Sequence, residues 1–371
     1  TYTAQVVTVG APPDTYFGLN RDSVLAGATI SANSWGPAGT PQGYDADTRV
    51  FDHAPRDADY LTRKKEPLAF VLSIMNGGGD RHSQGTPDEG KNLIRVGATN
   101  NLRAGAIESL APFTAHGPAL DGRRLPDLVA PGATVFSTRS RAATPVICGM
   151  PPGEDSGLPY PADQAQVPDS DGLVYAECSG TSMASPHVSG GAAIFTEYYR
   201  NKFGVDPSPA LIKAAFINGA VDLAGGQDAD GKILGHVPDS RQGWGRFNLA
   251  NVLTGPPKLY RDQELRLHRT GGVWDLTVQP VSPNQPVKVT LVWTDAPGHG
   301  LGGPTPAWVN DLDLRVTHGG MTYLGNAFGS PSTGWSVPDG RADFRNNVEN
   351  VFLRRLAGAI RIEVVAANLA A

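Results

Sequence analysis

The residue with the clearest chemical potential in this sequence is Ser182. It follows Gly180 in a stretch of small residues and precedes Pro186 and an apolar run, a pattern that predicts a tight turn leading into a helix. A serine at a helix N-terminus lies beside free backbone N–H groups and the positive end of the helix dipole, and both stabilise negative charge near its oxygen. Ser182 could therefore act as a nucleophile, although the same pattern fits an N-cap serine on a core helix.

A longer match around this serine favours the nucleophile. Residues 180–190 read Gly-Thr-Ser-Met-Ala-Ser-Pro-His-Val-Ser-Gly, which closely resembles the nucleophile motif of the subtilisin-like serine proteases, or subtilases (peptidase family S8). The resemblance implies that Ser182 is catalytic and that Gly180 lies against bound substrate. Apolar residues surround most of the predicted helix, so we expect the helix to be central and covered. They are Val188, Ala192, Ala193, Ile194, Phe195 and Tyr198.

A second segment resembles the part of subtilases that binds the substrate backbone. Residues 25–34 lead into Asn33-Ser34-Trp35-Gly36, which is similar to a strand end that lines the cleft in that family. Such an edge can bind an extended peptide through main-chain hydrogen bonds. The resemblance implies that Ser34, Trp35 and Gly36 contact the substrate. The alternative is an ordinary strand terminus.

Asn76 occupies the place of the family's oxyanion asparagine, after a buried strand and before a glycine-rich turn. The strand is predicted by the continuous apolar run at residues 68–74, which is typical of a parallel sheet. The resemblance implies that the Asn76 side-chain N–H and the Ser182 backbone N–H hold the tetrahedral oxyanion. Ile74 and Met75 are bulkier than the small residues usual there, so they would change the shape of the primary specificity pocket. The alternative is an asparagine in a turn.

The partners that a serine nucleophile needs are not evident. It needs a base within hydrogen-bonding distance and an acid that orients the base. In subtilases these lie in an Asp-Ser/Thr-Gly block and a His-Gly-Thr-His block, and this sequence contains neither. Asp14-Thr15 lacks the following glycine, and His116 stands in a His-Gly-Pro context that resembles a structural loop of the family. We therefore expect the chain to begin after both motifs and to be inactive alone.

The order of predicted elements indicates an α/β domain followed by an all-β domain. We expect a subtilisin-like parallel sheet flanked by helices, incomplete at its N-terminus, over residues 1–255, and an antiparallel β-sandwich (jelly roll) over residues 256–371. The first part is predicted to contain strands at residues 5–9 and 91–99 and a helix at 208–218. The second is predicted to contain strands at 264–267, 273–278, 287–293, 311–317 and 359–365. Segments at 292–297, 309–314 and 346–351 resemble the C-terminal sandwich of the alkaline, oxidation-resistant subtilases.

Three carboxylates in the second part suggest a metal site. Asp311 and Asp313 project from one face of a predicted strand because the side-chain period of a strand is two. Asp295 stands in another of the segments that resemble the family's sandwich. Carboxylate oxygens suit Ca²⁺, which takes about six to eight oxygen ligands. We expect Asp295, Asp311 and Asp313 to bind a structural calcium ion, and solvated surface carboxylates are the alternative.

Composition limits the partners and the compartment. The 371 residues carry a net charge of -5 and no basic tract, which argues against nucleic acid, and no apolar run is long enough to span a membrane. The two cysteines, Cys148 and Cys178, are expected to form a disulfide, as in a secreted or extracellular protein. Two unrelated buried thiols are the alternative.

Three hypotheses for the function remain open. The first is a fragment of a secreted serine endopeptidase that acts on peptide or protein substrates and whose further partner is its own N-terminal segment. The second is a catalytically dead relative that binds peptides along residues 34–36. The third is a structural or adhesive protein. An Asp and a His motif encoded upstream of Thr1 would support the first, and an intact gene that starts there would favour the second.

Overall fold

The computed structural model describes residues 13–36, 41–102, 105–138, 168–169, 172–173 and 175–370. The strand predicted at residues 5–9 and Cys148 lie outside the described residues. The helices are α1 (Pro13–Leu25), α2 (Ala46–His53), α3 (Thr181–Phe203), α4 (Pro209–Gly219) and α5 (Leu249–Leu253). The strands that precede α3 are β1 (Ile30–Asn33), β2 (Ala69–Ser73), β3 (Ile94–Thr99), β4 (Leu128–Pro131), β5 (Val135–Thr138), β6 (Pro168–Asp169), β7 (Gly172–Leu173) and β8 (Tyr175–Cys178).

Strands β1 to β4 form a parallel sheet in the order β1-β2-β3-β4. Strands β2 and β3 are buried along their whole length, as the continuous apolar run predicted. The two faces of β2 pack against different helices. Phe70 packs with Tyr16 of α1 and Phe51 of α2, whereas Val71 packs in the same cluster as Val188 of α3. Helices therefore cover both faces, and the predicted α/β parallel sheet is confirmed.

Helix α3 carries Ser182 and is only partly covered. Its side toward the sheet is buried and includes Ala184, Val188 and Phe195. On another side Ala193 is exposed and Ile194 is 48% exposed. The prediction of a covered helix is therefore wrong for the described part of the chain, because the sheet contacts only one side of it.

The helices differ in how well the sequence predicts them. Helix α4 begins after Ser208, whose hydroxyl accepts a hydrogen bond from the Leu211 backbone N–H, and it matches the prediction to within one residue. Helix α1 covers a stretch for which no helix was predicted, because its sequence lacks a clear apolar period. Asp14, considered as a stand-in for the catalytic acid, lies in this helix.

The C-terminal part is antiparallel, as predicted. Its strands are β9 (Val273–Val278), β10 (Val287–Val292), β11 (Asp311–His318), β12 (Met321–Leu324), β13 (Val348–Leu353) and β14 (Ile360–Asn368). They form a sheet of order β12-β11-β14-β9 and a separate β10-β13 pair. Residues of both sheets share one apolar cluster that includes Leu314, Val351 and Ile360. The jelly-roll topology and the division at residue 255 stay predictions.

Two strands of this part were not predicted from the sequence, and one predicted strand does not form. Residues 264–267 do not form a strand. Strand β13 was not predicted because Glu349 and Asn350 interrupt its apolar run, yet both are buried. The Asn350 side-chain oxygen accepts a hydrogen bond from the Thr290 hydroxyl at 2.6 Å, and Glu349 accepts one from the Leu314 backbone N–H. Strand β12 is a short return strand after β11.

Candidate active site

Ser182 is the second residue of α3, and it meets the carboxyl end of β1. Its hydroxyl donates to the Ser34 carbonyl oxygen at 3.4 Å, which is longer than an ordinary O–H···O hydrogen bond. The Ser34 hydroxyl donates in turn to the Ser182 carbonyl oxygen at 2.9 Å. The structure thus brings the predicted nucleophile and the predicted substrate-binding segment together, and it leaves the Ser182 hydroxyl weakly held.

Asn76 follows β2 and faces the first residue of α3. Its side-chain oxygen accepts hydrogen bonds from the backbone N–H and the hydroxyl of Thr181, both at 2.9 Å. Because a backbone N–H can only donate, the atom that faces it must be the amide oxygen, so the Asn76 Nδ2 points elsewhere. A Cβ built on Gly180 would lie 3.5 Å from that Nδ2 and 3.6 Å from the Ser182 backbone nitrogen. Both nitrogens therefore lie near one point beside Gly180, where the Met183 Sδ also lies 3.6 Å from the built Cβ.

The three residues of the substrate-binding segment face different ways. Ser34 is exposed, and its hydroxyl also lies 2.9 Å from the Ser185 hydroxyl. The Trp35 side chain turns inward, where it stacks on Tyr16 with ring centroids 5.8 Å apart and donates from Nε1 to Asn33. A contact between Trp35 and a peptide would therefore be made by its backbone rather than by its ring. Gly36 follows, with its backbone packed against Met75.

The described residues supply no base to Ser182. Its hydroxyl makes no hydrogen bond there to a histidine or a carboxylate. His187, further along α3, pairs through Nδ1 with the Met183 carbonyl oxygen at 2.9 Å. His116 is 2% exposed, and burial lowers the pKa of its ring, with the charge of Asp228 acting in the opposite direction. A neutral, buried imidazole agrees with the structural role predicted for His116.

The carboxylates predicted to bind calcium do not act as one group. Asp295 is 1% exposed, and its Oδ2 accepts from the Lys91 Nζ at 2.8 Å while its Oδ1 accepts from the Asn310 backbone N–H at 2.9 Å. Protein donors therefore contact both oxygens, and Asp295 does not form one group with Asp311 and Asp313 among the described residues. In the part of the chain that the structure describes, no three His, Cys, Asp or Glu side chains are arranged to hold a metal ion.

Asp311 and Asp313 remain neighbours on β11. Burial, together with the nearby charges of Asp313 and Asp343, raises the pKa of Asp311 to about 6. Asp313 pairs with Arg315 at 2.9 Å. Each carboxylate keeps one buried oxygen without a hydrogen-bond partner among the described residues. The sequence pattern thus placed these two correctly on one strand.

Two further findings concern Cys178 and the described helices. Cys178 is joined in a disulfide, whereas Cys148 lies in the part of the chain that is not described. Among the described helices, none is long and apolar enough to cross a membrane.

Comparison with known proteins gives a consistent match. Residues 6–245, more than half of the chain, match the family model described as the subtilase family, Peptidase_S8. The serine protease/ABC transporter B family protein tagB of Dictyostelium discoideum is 26% identical over 299 residues, which cover 66% of this chain and 14% of that protein. The minor extracellular protease Vpr of Bacillus subtilis is 31% identical over 147 residues, 39% of this chain and 14% of its own length. This chain therefore spans about a seventh of these two relatives.

One solved structure covers nearly the whole chain. Fervidolysin from Fervidobacterium pennivorans, described as a keratinolytic enzyme related to subtilisin, aligns with 91% of this chain and 36% of its own. The TM-score is 0.42 and the sequence identity is 22%.

Proposed function

Because the chain belongs to the subtilase family, we propose that it carries the nucleophile of a serine endopeptidase. The observation that carries this proposal is the position of two donors, the Asn76 Nδ2 and the Ser182 backbone N–H, around one point beside Gly180. Preorganised donors at such a point stabilise the oxyanion of a tetrahedral intermediate. Gly180 keeps the point open because it has no side chain.

In the proposed reaction, Ser182 Oγ forms a bond to the carbonyl carbon of a peptide that lies extended along residues 34–36. The carbonyl oxygen becomes an oxyanion between Asn76 and the Ser182 N–H. A base takes the hydroxyl proton and gives it to the leaving amine as the C–N bond breaks. Water then attacks the acyl-enzyme, and the acid product leaves with Ser182 restored.

We place the base and its orienting acid on a partner segment, the N-terminal portion of the same catalytic domain. Among the residues that the structure describes, β1 pairs with β2 along one edge, and a further strand could pair along its other edge. The exposed Ile194 on α3 provides apolar surface for such a segment. A segment bound at this edge could carry a histidine to the Ser182 hydroxyl.

Activity assays test this proposal with two proteins, the 371-residue chain and the whole protein that its gene encodes. We expect the chain alone to hydrolyse casein negligibly and the whole protein to lose hydrolysis on Ser182→Ala. Asn76→Ala should lower kcat by about 10²–10³ with little change in KM. Hydrolysis by the chain alone that Ser182→Ala abolishes would place the base within it. Hydrolysis by the whole protein that survives Ser182→Ala would overturn the assignment of the nucleophile.

A peptide-binding protein that does not cleave is the second candidate function. It is favoured by the Ser182 hydroxyl, which has no base beside it in the described structure. A fluorophosphonate probe separates the two candidates, because it labels a serine only when a base activates it. Whole protein that binds peptides but leaves Ser182 unlabelled would favour the second.

A secreted or extracellular location fits the proposed enzyme. The relative Vpr is named an extracellular protease, and the disulfide at Cys178 suits an oxidising compartment. We propose peptides or proteins as its substrates, and neither a nucleic acid nor a membrane as its partner.

We also propose calcium as a structural ion of the sandwich, now without Asp295. The support is the pair of buried, unpartnered oxygens on Asp311 and Asp313 in a region where acidic neighbours raise the pKa of Asp311. Neutralising such charges would stabilise the fold, so a chelator should lower the melting temperature and added Ca²⁺ should restore it. The double variant Asp311→Asn, Asp313→Asn should no longer respond. An unchanged melting temperature with chelator would contradict the proposed calcium site.

A further inference from the structure

Met75 has an unusual backbone for a residue with a large side chain. Its φ is 69°, in the left-handed region that glycine adopts most readily. The neighbouring chain holds it there, since the Met75 carbonyl oxygen accepts from the Ala115 backbone N–H at 3.2 Å and the preceding Ile74 N–H donates to Val96 at 3.1 Å. A strained residue that its surroundings maintain suggests a role for its side chain.

The Met75 side chain fills the space next to Gly36. A Cβ built on Gly36 would lie 1.9 Å from the Met75 Cε, 2.9 Å from its Sδ and 3.0 Å from the Thr86 carbonyl oxygen. Only glycine therefore fits at position 36 while Met75 keeps this conformation. Met75 itself is 6% exposed. Its side chain therefore fills the gap between residues 34–36 and its own segment, residues 74–76.

Residues 34–36 and 74–76 border the candidate active site. Strands β1 and β2 are adjacent and parallel, with Asn33 opposite Leu72, so residues 34–36 and 74–76 leave the sheet side by side. Ligands of open parallel sheets bind in the crevice outside the carboxyl ends of the strands. Ser182 meets one segment at Ser34, and Asn76 ends the other.

The gap has a defined position relative to a bound peptide. We consider a peptide that lies along residues 34–36 and whose scissile carbonyl lies between Ser182 and Asn76. Its backbone then contacts residues 34–36, and its carbonyl oxygen lies at Asn76, the end of the segment 74–76. The side chain of the residue that bears this carbonyl then has two directions, toward solvent or into the gap. Met75 already occupies the gap.

We propose that Met75 is a specificity-determining residue, which fills the space for the substrate side chain that precedes the scissile bond. The site then takes glycine, alanine or serine at that position and rejects leucine and phenylalanine. This inference rests on the proposed function only in that it assumes a peptide cleft beside Ser182. Binding without cleavage is sufficient to test it.

The experiment measures dissociation constants of acetylated tetrapeptide amides that differ only in the last residue, which is Gly, Ala, Ser, Leu or Phe. Calorimetric titrations use the 371-residue chain, Met75→Gly, and Met75→Leu as the control that keeps the side-chain volume. We expect wild type and Met75→Leu to bind the Ala peptide at least about tenfold more tightly than the Phe peptide, because pocket contacts give differences of this order. Met75→Gly should reverse this order and bind the Ala peptide about as before.

Folding is controlled by the melting curve of each variant. Glycine suits a φ of 69°, so Met75→Gly keeps the backbone conformation, and Met75→Ala gives a second, smaller opening of the gap. Wild type that binds Phe and Ala peptides equally, or a Met75→Gly variant with the wild-type order, would overturn the proposal. So would the failure of every peptide to bind, because no peptide cleft would then exist in this chain.

These outcomes are separate from the test of catalysis. The whole protein can hydrolyse peptides through Ser182 and still accept phenylalanine, in which case only the inference about Met75 fails. It can also fail to hydrolyse while Met75→Gly changes the order of binding, in which case only the proposed activity fails.

Discussion

Asp88 has a buried carboxylate that is only half satisfied. It is fully buried, with one oxygen accepting from the Gly85 backbone N–H at 2.9 Å and the other without a partner in the described structure. Burial raises the pKa of Asp88 to about 7, against the smaller lowering effect of the Gly85 N–H. This pKa also includes a smaller raising effect of the neighbouring Glu89 and a smaller lowering effect of Arg95. A group of this kind makes folding depend on pH.

The sign of that dependence follows from linkage. The folded pKa of about 7 lies above the unfolded value of 3.8, so the folded chain binds the proton more tightly. The resulting stabilisation is complete below about pH 4 and is lost as the pH rises to about 7. Asp88→Asn cannot ionise, so its free energy of unfolding relative to wild type should increase over this window by up to about 4 kcal/mol.

Urea unfolding of both proteins between pH 4 and pH 8 checks this prediction. Asp22→Asn is the matched control, because Asp22 is exposed and pairs with the exposed Arg21, and it should show little change. A difference between Asp88→Asn and wild type that stays constant across the pH range would mean that Asp88 does not carry the shifted pKa.

For single residues, the sequence identified candidate site residues better than it identified the residues that they contact. Ser182 and Asn76 were identified from local motifs, and the fold brings them to one point. Thr181, which orients Asn76 from 105 residues away, had no local signal, because the contact exists only when the end of β2 meets the start of α3. The contact between Asp295 and Lys91 had no local signal either, because the two residues are 204 positions apart. Asp295 was therefore predicted to bind a metal.

Among the helices, α4 shows how a cap can link two parts of the molecule. The Ser208 hydroxyl accepts from the Leu211 backbone N–H at 3.1 Å and donates to the Asp262 carboxylate at 2.6 Å. The Ser208 backbone N–H also donates to Asp262, at 2.8 Å. The cap therefore holds the start of α4 and fixes the chain that leads into the sandwich.

We expect Ser208→Ala to lower the free energy of unfolding by about 1–2 kcal/mol, because the first turn of α4 loses its side-chain acceptor. Ser208→Thr keeps the hydroxyl and should lie close to wild type. Chemical denaturation of the three proteins measures the difference. Equal stability of Ser208→Ala and Ser208→Thr would show that water replaces the cap without loss.

Elements were predictable where one physical signal dominated. Continuous apolar runs identified β2, and a serine followed by proline identified the start of α4. Strand β13 was missed because Glu349 and Asn350 are polar but buried, and their compensating hydrogen bonds come from distant strands. The burial of α3 was overpredicted because an apolar sequence does not indicate which sides of the helix pack against other elements.

For the whole molecule, one buried lysine joins the sheet to the sandwich. Lys91 precedes β3 and is 1% exposed. Its Nζ donates to the Asp295 carboxylate at 2.8 Å and to the Ala307 carbonyl oxygen at 2.9 Å, and it lies 3.8 Å from the Asp52 carboxylate. Asn92 adds a hydrogen bond from its side chain to the Asp295 carbonyl oxygen at 3.0 Å. The two parts are thus connected by a buried polar contact as well as by apolar packing.

Removal of both Lys91 and Asp295 should cost less than the sum of the two single removals. Lys91→Met leaves the Asp295 carboxylate buried and unpaired, so we expect a loss of about 3–5 kcal/mol in the free energy of unfolding. Asp295→Asn should also destabilise, but the double variant should lose less than the sum, because neither charge remains to be compensated. Lys232→Met, at an exposed pair with Asp230, is the control and should stay within about 1 kcal/mol of wild type.

Denaturant unfolding of the four variants and wild type decides whether the contact couples the two parts. Losses that add to within about 0.5 kcal/mol would show that Lys91 and Asp295 act independently. Coupling would instead mean that the sandwich stabilises the chain segment that leads into β3, two strands from the edge that carries Ser34. The sandwich would then help to hold the sheet on which Ser34, Asn76 and Ser182 meet, without itself contributing a residue to the site.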